Sequence, residues 1–334
     1  MDSMRDWNLN AVAVAFAFAL LAATPAGADA PPTCEGKDLT HAAGLVAARE
    51  KRADDLIDAD GILWRIEKPG LSPSYLYGTI HSTDDSAVAL ARRAAKRISG
   101  ASIVATELGS MDAVEKATIS ASILTTALDR DHDTFEGLPE NDRAGIETFA
   151  AAQGFPSQFA HHLKLWFLAI LTATPACETK RQALGLPEVD QYLAETAKTS
   201  GVKVVGLETA EEQIEVLSSM RPETAVALLS VAAREPDTSD EVYATMLRLY
   251  RESRPAEILP IADVIGDMSD DERTAQDEFI RLLLTNRNAT MAERAAPLLK
   301  AGGAFIAVGA LHLPGKGGLV ERFRALGYTV AKEW

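Results

Sequence analysis

Cysteine is scarce in this chain of 334 residues, and so are histidine and basic residues. There are 2 cysteines and 6 histidines, and 48 acidic residues outnumber 33 basic ones, which gives a formal net charge of −15 at pH 7. Two cysteines are too few for a cysteine-rich zinc site. So negative a charge disfavours binding to nucleic acid or to an anionic membrane surface, and we expect neither as a partner.

The apolar run near the start of the chain, residues 11–23, is too short to span a bilayer, which takes about 20 residues. A polar start with Arg5 precedes it, and small residues follow it up to Ala30, as in a secretory signal peptide. We predict a signal peptide over residues 1–28, cut after Ala28 or Ala30, and one domain over residues 29–334 that is not embedded in a membrane. The alternative is an uncleaved N-terminal anchor.

Cys34 and Cys177 both lie in the part of the chain that we expect to be exported. An even number of cysteines in an oxidising compartment is compatible with a disulfide, which would pin the N-terminal arm. Two isolated buried thiols are the alternative that the sequence leaves open.

Strand and helix patterns alternate near the start of the folded part. Residues 61–67 (GILWRIE) and 75–81 (YLYGTIH) predict two strands joined through Pro69-Gly70 as a hairpin. An amphipathic helix over residues 86–98 and a strand over residues 102–108 follow. A strand, a helix and a second strand favour parallel pairing with a right-handed crossover.

The same order returns near the end of the chain, with a strand over residues 304–308, a helix over 317–326 and a strand over 328–332. Residues 111–300 between the two units read as mostly helical, with a short strand at 203–207. We therefore predict an α/β (α+β) fold in which pseudo-duplicated strand-GxxH-helix units form a mixed central sheet, with a large, mostly helical insert.

The motif GxxH occurs at a predicted strand end in both units, as Gly78–His81 and Gly309–His312. A glycine three residues before the histidine allows close approach of backbone or ligand. Glu107 ends the strand that follows the first motif. Two histidines and one glutamate suffice to hold a catalytic divalent metal ion, with water in an open position. The alternatives are two structural histidines and a solvated glutamate.

Glu208 and Arg287 are further candidates. Glu208 directly follows the strand at 203–207, and the alternative role is to cap the helix that comes next. Arg287 follows Thr285-Asn286, where we predict one helix to end, and its guanidinium could clamp a carboxylate unless it is a surface arginine. His161 and His162 suit a packed or solvated pair on an apolar helix better than a metal site.

Five blocks together carry a resemblance to a known family. They are YLYGTIHS (75–82), ATEL (105–108), GLPEVDQYLAETAKTSGVKVVGLE (185–208), Arg287-Asn288 with Met291, and FIAVGALHLPGKGGLVERFRALGY (305–328). In this order they resemble the TraB/GumN family, which is related to the Tiki metalloproteases and, more distantly, to the ChaN and erythromycin-esterase-like proteins. The similarity runs from about Leu63 to Val330.

The resemblance implies a function and a set of roles. Tiki relatives are metal-dependent proteases with manganese- or cobalt-type ions, so His81, Glu107 and His312 would hold a divalent metal, with zinc as an alternative ion. Glu208 and Arg287 match further positions of the family. We ourselves expect Glu208 to act as a base or to support the metal ligands, and Arg287 to clamp the substrate. The implied protein is a periplasmic or secreted hydrolase acting on a peptide or protein.

Two alternatives to this function remain. By analogy with ChaN, the same cleft could bind haem or another ligand without catalysis. In the second alternative, by analogy with the esterase-like proteins, the protein is a hydrolase without metal, in which a histidine acts as general base.

Overall fold

The computed structural model describes residues 30–234, 238–265 and 268–334 of the chain. The predicted signal peptide, residues 1–28, lies outside the described residues. In the described part of the chain a six-stranded mixed sheet is combined with fourteen α-helices. The predicted α/β class with a large helical insert is confirmed.

The strands are short and come in the predicted order. They are β1 Leu63–Glu67, β2 Ser74–Thr79, β3 Ile103–Thr106, β4 Val204–Gly206, β5 Ala304–Gly309 and β6 Thr329–Lys332. β1 and β2 are antiparallel, with Leu63 opposite Tyr77, so the predicted hairpin is confirmed. Gly70 in the turn between them has a φ of 82°, a left-handed conformation that glycine adopts without strain.

The order of strands across the sheet is β4-β3-β5-β2-β1-β6. β2 and β3 run parallel, as predicted, but they are not neighbours, because β5 lies between them and pairs with both. β5 is apolar and buried along nearly its whole length, which suits a central strand covered on both faces. The last unit of the chain therefore completes the middle of the sheet.

The helices of the described residues cover the sheet and build the insert. They are α1 Leu45–Lys51, α2 Asp85–Ala95, α3 Ala113–Ala127, α4 Glu140–Ala152, α5 Ser157–Ala160, α6 Leu165–Leu171, α7 Ala176–Ala183, α8 Val189–Thr199, α9 Ala210–Ser218, α10 Pro222–Arg234, α11 Thr238–Arg251, α12 Ile258–Ala262, α13 Asp270–Ala301 and α14 Leu319–Ala325. None of them is both long and apolar enough to cross a membrane.

Alternate residues of each strand face opposite layers of helices. On one face Tyr77 and Phe305 pack into a core with residues of α2, α8 and α11. On the other face Leu76 and Ile306 pack with residues of α13 and α14. This alternation is what a strand buried on both sides requires. The insert has a separate apolar core, built mainly from α4, α6 and α10.

The predicted helix end at Thr285-Asn286 is wrong, because α13 runs through it for 32 residues. Threonine and asparagine in a helix interior cost only a few tenths of a kcal/mol each, about 0.5–0.7 relative to alanine. Burial of Met291 and Ala295 against the sheet outweighs that cost. Arg287 therefore lies inside a continuous helix.

Cys34 and Cys177 form a disulfide with their Cα atoms 5.4 Å apart, so the first of the two predicted alternatives holds. The bond ties the N-terminal arm to α7. Glu178, the next residue, is fully buried and accepts hydrogen bonds from the Thr83 N–H at 2.8 Å and the Tyr243 hydroxyl at 2.7 Å. The cross-link is thus adjacent to the contact that holds the segment just after His81.

Candidate active site

The predicted acids and histidines all follow parallel strands, at one edge of the sheet. Glu107 comes directly after β3, and His81 and Glu208 lie two residues beyond β2 and β4. His312 ends a 3-10 turn, Ala310–His312, that follows β5. Carboxyl ends of parallel strands meet at the same edge, which is where open α/β sheets bind their ligands.

The glycine of each GxxH motif makes room for another part of the site. At Gly78 a Cβ atom would lie 2.9 Å from the Cα atom of Ala310, which begins the turn that carries His312. At Gly309 a Cβ atom would lie 3.2 Å from Oε1 of Glu107. The predicted close approach is confirmed at both glycines, and the approaching groups belong to the site itself.

Glu107 occupies the centre of the site, with its side chain only 12% exposed. Its Oε1 accepts a hydrogen bond from the Gly309 N–H at 2.7 Å, and its Oε2 accepts from Arg287 Nη2 at 2.6 Å and Gln213 Nε2 at 3.1 Å. Burial opposes ionisation, but the charges of His312 and Arg287 and the other polar contacts outweigh it and lower the pKa of Glu107 to about 2. The carboxylate is therefore ionised at neutral pH.

Arg287 lies between two carboxylates. Its Nη2 donates to Glu107 Oε2 at 2.6 Å and to Glu208 Oε2 at 2.7 Å, and its Nε donates to Glu208 Oε1 at 2.9 Å. Gln213 Nε2 also donates to both carboxylates, at 3.1 Å each. The guanidinium predicted to clamp a substrate is thus already bound by Glu107 and Glu208.

Glu208 does not cap the following helix, so that alternative is wrong. Thr209 is the cap of α9, and its hydroxyl accepts from the Glu212 N–H. Glu208 is instead buried, with both of its oxygens bonded to Arg287. The strand end supplies a carboxylate to the site, and the residue after it starts the helix.

His312 is buried, 4% exposed, and both of its ring nitrogens face polar atoms. Nδ1 lies 2.6 Å from Oδ1 of Asn288, and Nε2 lies 3.8 Å from Oε1 of Glu107. Burial lowers the pKa of His312 to about 4, although the charge of Glu107 works in the opposite direction. The ring is therefore neutral at pH 7, which is the form that can bind a metal ion.

His81 lies on the opposite side of the site, at its mouth. Its side chain is 73% exposed, and its Nδ1 lies 3.6 Å from Oδ2 of Asp190. Desolvation in the cleft lowers the pKa of His81, but the charges of Asp190, Glu107 and Glu188 outweigh it and raise the pKa. His81 is thus held less firmly than His312.

Asp190, in the first turn of α8, brings a buried oxygen into the site. Its Oδ2 is inaccessible to solvent and has no hydrogen-bond partner among residues 30–234, 238–265 and 268–334. Burial raises the pKa of Asp190 to about 6, and the charge of Glu107 adds to this effect. The ring of His81, whose Nδ1 lies 3.6 Å from this oxygen, works against the rise in pKa.

A cleft of about 550 Å³ opens at this edge of the sheet. Its lining includes His81, Glu107, Asp190 and Gln213, with Lys116 from α3 and Tyr192 from α8. A cleft of this volume has room for a few residues of an extended peptide or a small ligand.

The donors of the site suit a divalent cation. Nε2 of His312 and Oε1 of Glu107 are 3.8 Å apart, and two donors about 2.1 Å from one cation lie roughly 3–4 Å from each other. In the described part of the chain, no three histidine, cysteine or carboxylate side chains are already grouped closely enough to hold a metal ion. His81, with its exposed ring beside Asp190, does not complete such a group with the two residues. Neutral imidazole and carboxylate suit Mn²⁺, Co²⁺ and Zn²⁺.

Three further residues bear on the predicted site: one histidine lies away from it, and two residues that contact it are absent from the predicted set. His161 lies just after α5 rather than within a helix, and its ring contacts Asp133 and Glu147, so it is a packed residue away from the site. Asn288 and Asp190 contact the two GxxH histidines but were not singled out by sequence reasoning. The only signal was their presence in the blocks of resemblance, because nothing in the pattern says which way each helix turns them.

Comparisons with known proteins find similar sequences over most of the chain. The model of the TraB/PrgY/gumN family matches residues 62–332, which include all six strands and every predicted site residue. The chain is 27% identical over 269 residues to the uncharacterized protein YbaP of Shigella flexneri, an alignment that covers 78% of this chain and 90% of that protein. No solved structure gives a significant match.

Proposed function

Because the chain belongs to the TraB/PrgY/gumN family, we propose that it is an exported, metal-dependent hydrolase that cleaves peptides. The site at the carboxyl ends of β2, β3 and β5 is where the reaction would occur. A Mn- or Co-type ion, or zinc, is the proposed cofactor, and a peptide or protein is the proposed substrate.

One observation carries this proposal: a neutral, buried imidazole faces an ionised, buried carboxylate. Nε2 of His312 lies 3.8 Å from Oε1 of Glu107, and Glu107 in turn lines the cleft. Two such groups are usually satisfied by a proton or hydrogen bond between them. At this distance they make none. A cation bound by both would satisfy Nε2 of His312 and would add to the hydrogen bond that Oε1 of Glu107 accepts from Gly309.

His312, Glu107 and His81 are the residues that would hold the cation. When bound, a divalent ion lowers the pKa of a coordinated water molecule and polarises the carbonyl group to be cleaved. Arg287 holds Glu107 and Glu208 in place, because its guanidinium bonds to both carboxylates. Glu208, with both of its oxygens bonded to Arg287, orients that guanidinium. Asp190 restrains the ring of His81.

The test is to purify the chain, measure bound metal, and follow cleavage of a peptide library with Mn²⁺ or Co²⁺ and with EDTA. We expect metal-dependent cleavage that falls to background in H312Q and H81Q. H132Q is the matched control, because His132 is 75% exposed and lies far from the site in the insert. A wild-type chain that binds no metal and cleaves nothing would overturn the proposal, and cleavage that survives complete chelation would reassign the site to metal-free hydrolysis.

Export is proposed on separate grounds. The disulfide between Cys34 and Cys177 is typical of proteins in an oxidising compartment. Fractionation of cells that express the full chain, followed by sequencing of the N-terminus, should give a periplasmic or secreted protein that starts after Ala28 or Ala30. A protein retained in the cytoplasm with Met1 intact would contradict it.

A further inference from the structure

The two ring nitrogens of His312 face different residues. Nε2 faces Glu107, and Nδ1 contacts Asn288. Asn288 is 5% exposed and follows Arg287 on α13, so one turn of the helix supplies the guanidinium to the carboxylates and the amide to the histidine. Its Oδ1 or Nδ2 could in principle face the ring, and the two orientations give the ring opposite chemistry.

The carbonyl group of Gly317 settles that orientation. It lies 3.2 Å from Nδ2 of Asn288, and a carbonyl oxygen can only accept a hydrogen bond. The NH₂ group of Asn288 must therefore face Gly317, which leaves Oδ1 facing His312 at 2.6 Å. The same carbonyl also accepts from Arg322 Nε at 2.7 Å, so it is held in place.

The orientation of the amide fixes the proton of the histidine. Since Oδ1 of Asn288 only accepts, Nδ1 of His312 must carry the hydrogen, and Nε2 of the neutral ring carries the lone pair. Nε2 lies 3.8 Å from Oε1 of Glu107, and the proposed cation would bind between these two atoms. If Nε2 carried the hydrogen instead, the ring could not be a ligand on that side.

We propose that Asn288 is a positioning residue that holds His312 in the Nδ1–H tautomer and so keeps Nε2 available to a divalent cation. The Pro314–Gly318 segment, PGKGG, holds Asn288 through the Gly317 carbonyl. Gly317 has a φ of 80°, a conformation in which a residue with a side chain is strained, and this accounts for a glycine there. The tautomer is a property of the metal-free chain, whereas binding of a cation at Nε2 rests on the proposed function.

The first experiment measures the tautomer directly. Long-range ¹H–¹⁵N spectra of the full chain, labelled with ¹⁵N-histidine and freed of metal, distinguish protonated from unprotonated ring nitrogens, and the His312 signals are those missing in H312Q. We expect a protonated Nδ1 and a bare Nε2 in the wild type. In N288A we expect the tautomer to change or the signals of both tautomers to appear. A wild-type His312 protonated at Nε2, or one unaltered in N288A, would overturn the inference.

The second experiment measures Mn²⁺ affinity by calorimetry. Loss of the group that orients a metal-ligating histidine typically weakens binding about 10–100-fold, and we expect a loss in this range for N288A. N288D retains an oxygen that accepts from Nδ1, so it should recover most of the affinity. N286A is the matched control, two residues earlier on an exposed part of the same helix, and should bind like the wild type.

The outcomes separate this inference from the proposed function. A wild-type chain that binds no divalent metal but shows the Nδ1–H tautomer contradicts the function and supports the positioning role. Equal Mn²⁺ affinity in the wild type, N288A and N288D contradicts the positioning role and leaves the proposed function standing. Circular dichroism of each variant confirms that the chain is folded, and the wild-type spectrum tests the tautomer without reliance on any Asn288 variant.

Discussion

At the scale of single residues, the site is held together by one positive charge between two negative ones. Arg287 Nη2 lies within 2.7 Å of an oxygen of Glu107 and of Glu208, and all three side chains are largely buried. Buried ions are stable only while they are paired, since each alone carries a desolvation penalty of several kcal/mol. The arginine therefore supplies the positive charge that pairs with both carboxylates.

Replacing Arg287 by methionine should destabilise the chain by about 3–5 kcal/mol, the usual cost of leaving a buried charge without its partner. The measurement is the free energy of unfolding in urea at pH 7. R281M is the matched control on an exposed position of the same helix and should stay within about 0.5 kcal/mol of the wild type. The double variant E208Q/R287M should recover part of the loss, because one of the two unpaired charges is gone. Equal stability of R287M and R281M would contradict this account.

Gly78 is sensitive to a single added methyl group. G78A would place a Cβ atom 2.9 Å from the backbone of Ala310, so the turn that carries His312 has to shift. We expect a loss of about 1–3 kcal/mol, as for overpacking elsewhere. G100A is the control, because a Cβ atom at Gly100 meets nothing within 4 Å. The measurement is the thermal unfolding midpoint of the two variants. Equal midpoints for G78A and G100A would contradict the expected clash with the turn.

At the scale of elements, α7 links the N-terminal arm to the active-site edge. The disulfide at Cys177 and the buried carboxylate of Glu178 are consecutive, and Glu178 bonds to Thr83, two residues after His81. Arg181, one turn further along α7, donates to the Thr83 carbonyl at 2.9 Å and to the Pro32 carbonyl at 3.1 Å. The helix therefore fastens both the arm and the segment after β2.

The double variant C34S/C177S should be less stable than the wild type, because the N-terminal arm is no longer cross-linked to α7. The bond closes a loop between residues 143 apart in sequence, for which chain entropy predicts a stabilisation of about 4–5 kcal/mol at most. We expect a lower midpoint of urea unfolding, and the same decrease in wild-type protein treated with a reducing agent. The variant itself serves as the control, since a reducing agent should leave it unchanged. No difference between oxidised wild type and variant would mean that the arm contributes nothing.

The sequence predicts elements well where local periodicity decides them. The strand ends at His81, Glu107 and Glu208 were located because apolar, β-branched runs stop there. The length of α13 was missed because its continuity depends on Met291 and Ala295 packing against a sheet that the local pattern does not contain. The pairing of β5 between β2 and β3, and the contact of Asn288 with His312, depend on residues more than twenty positions apart, which no local pattern specifies.

At the scale of the whole molecule, a net charge of −15 makes each buried or paired cation important for stability. In the insert, His161 joins two acidic residues: Nδ1 lies 2.9 Å from Asp133 and Nε2 lies 2.8 Å from Glu147. Burial lowers the pKa of His161, but the hydrogen bonds to these carboxylates outweigh it and raise the pKa above 6.5. A ring that donates to both carboxylates must be protonated.

This raised pKa predicts a pH dependence of stability. A group whose pKa is higher in the folded chain stabilises it fully below the unfolded pKa of 6.5, and the contribution disappears as the pH rises through the folded pKa. H161Q should therefore be less stable than the wild type by about 1 kcal/mol at pH 6, with the difference shrinking toward pH 9. Urea unfolding at a series of pH values measures it, with H132Q as the exposed control in the same insert. A difference that is constant from pH 6 to pH 9 would contradict the ion-pair explanation.

The central position of β5 also determines when the sheet and the candidate site can be completed. Synthesis and any passage through a membrane deliver β2 and β3 long before residues 304–309, and until then these two strands have no shared neighbour to pair with. His312 arrives with that same strand, so the last donor of the site and the strand that joins the sheet appear together. A chain still being made therefore has neither a joined sheet nor an assembled candidate site, and both form only after nearly all of the chain has emerged.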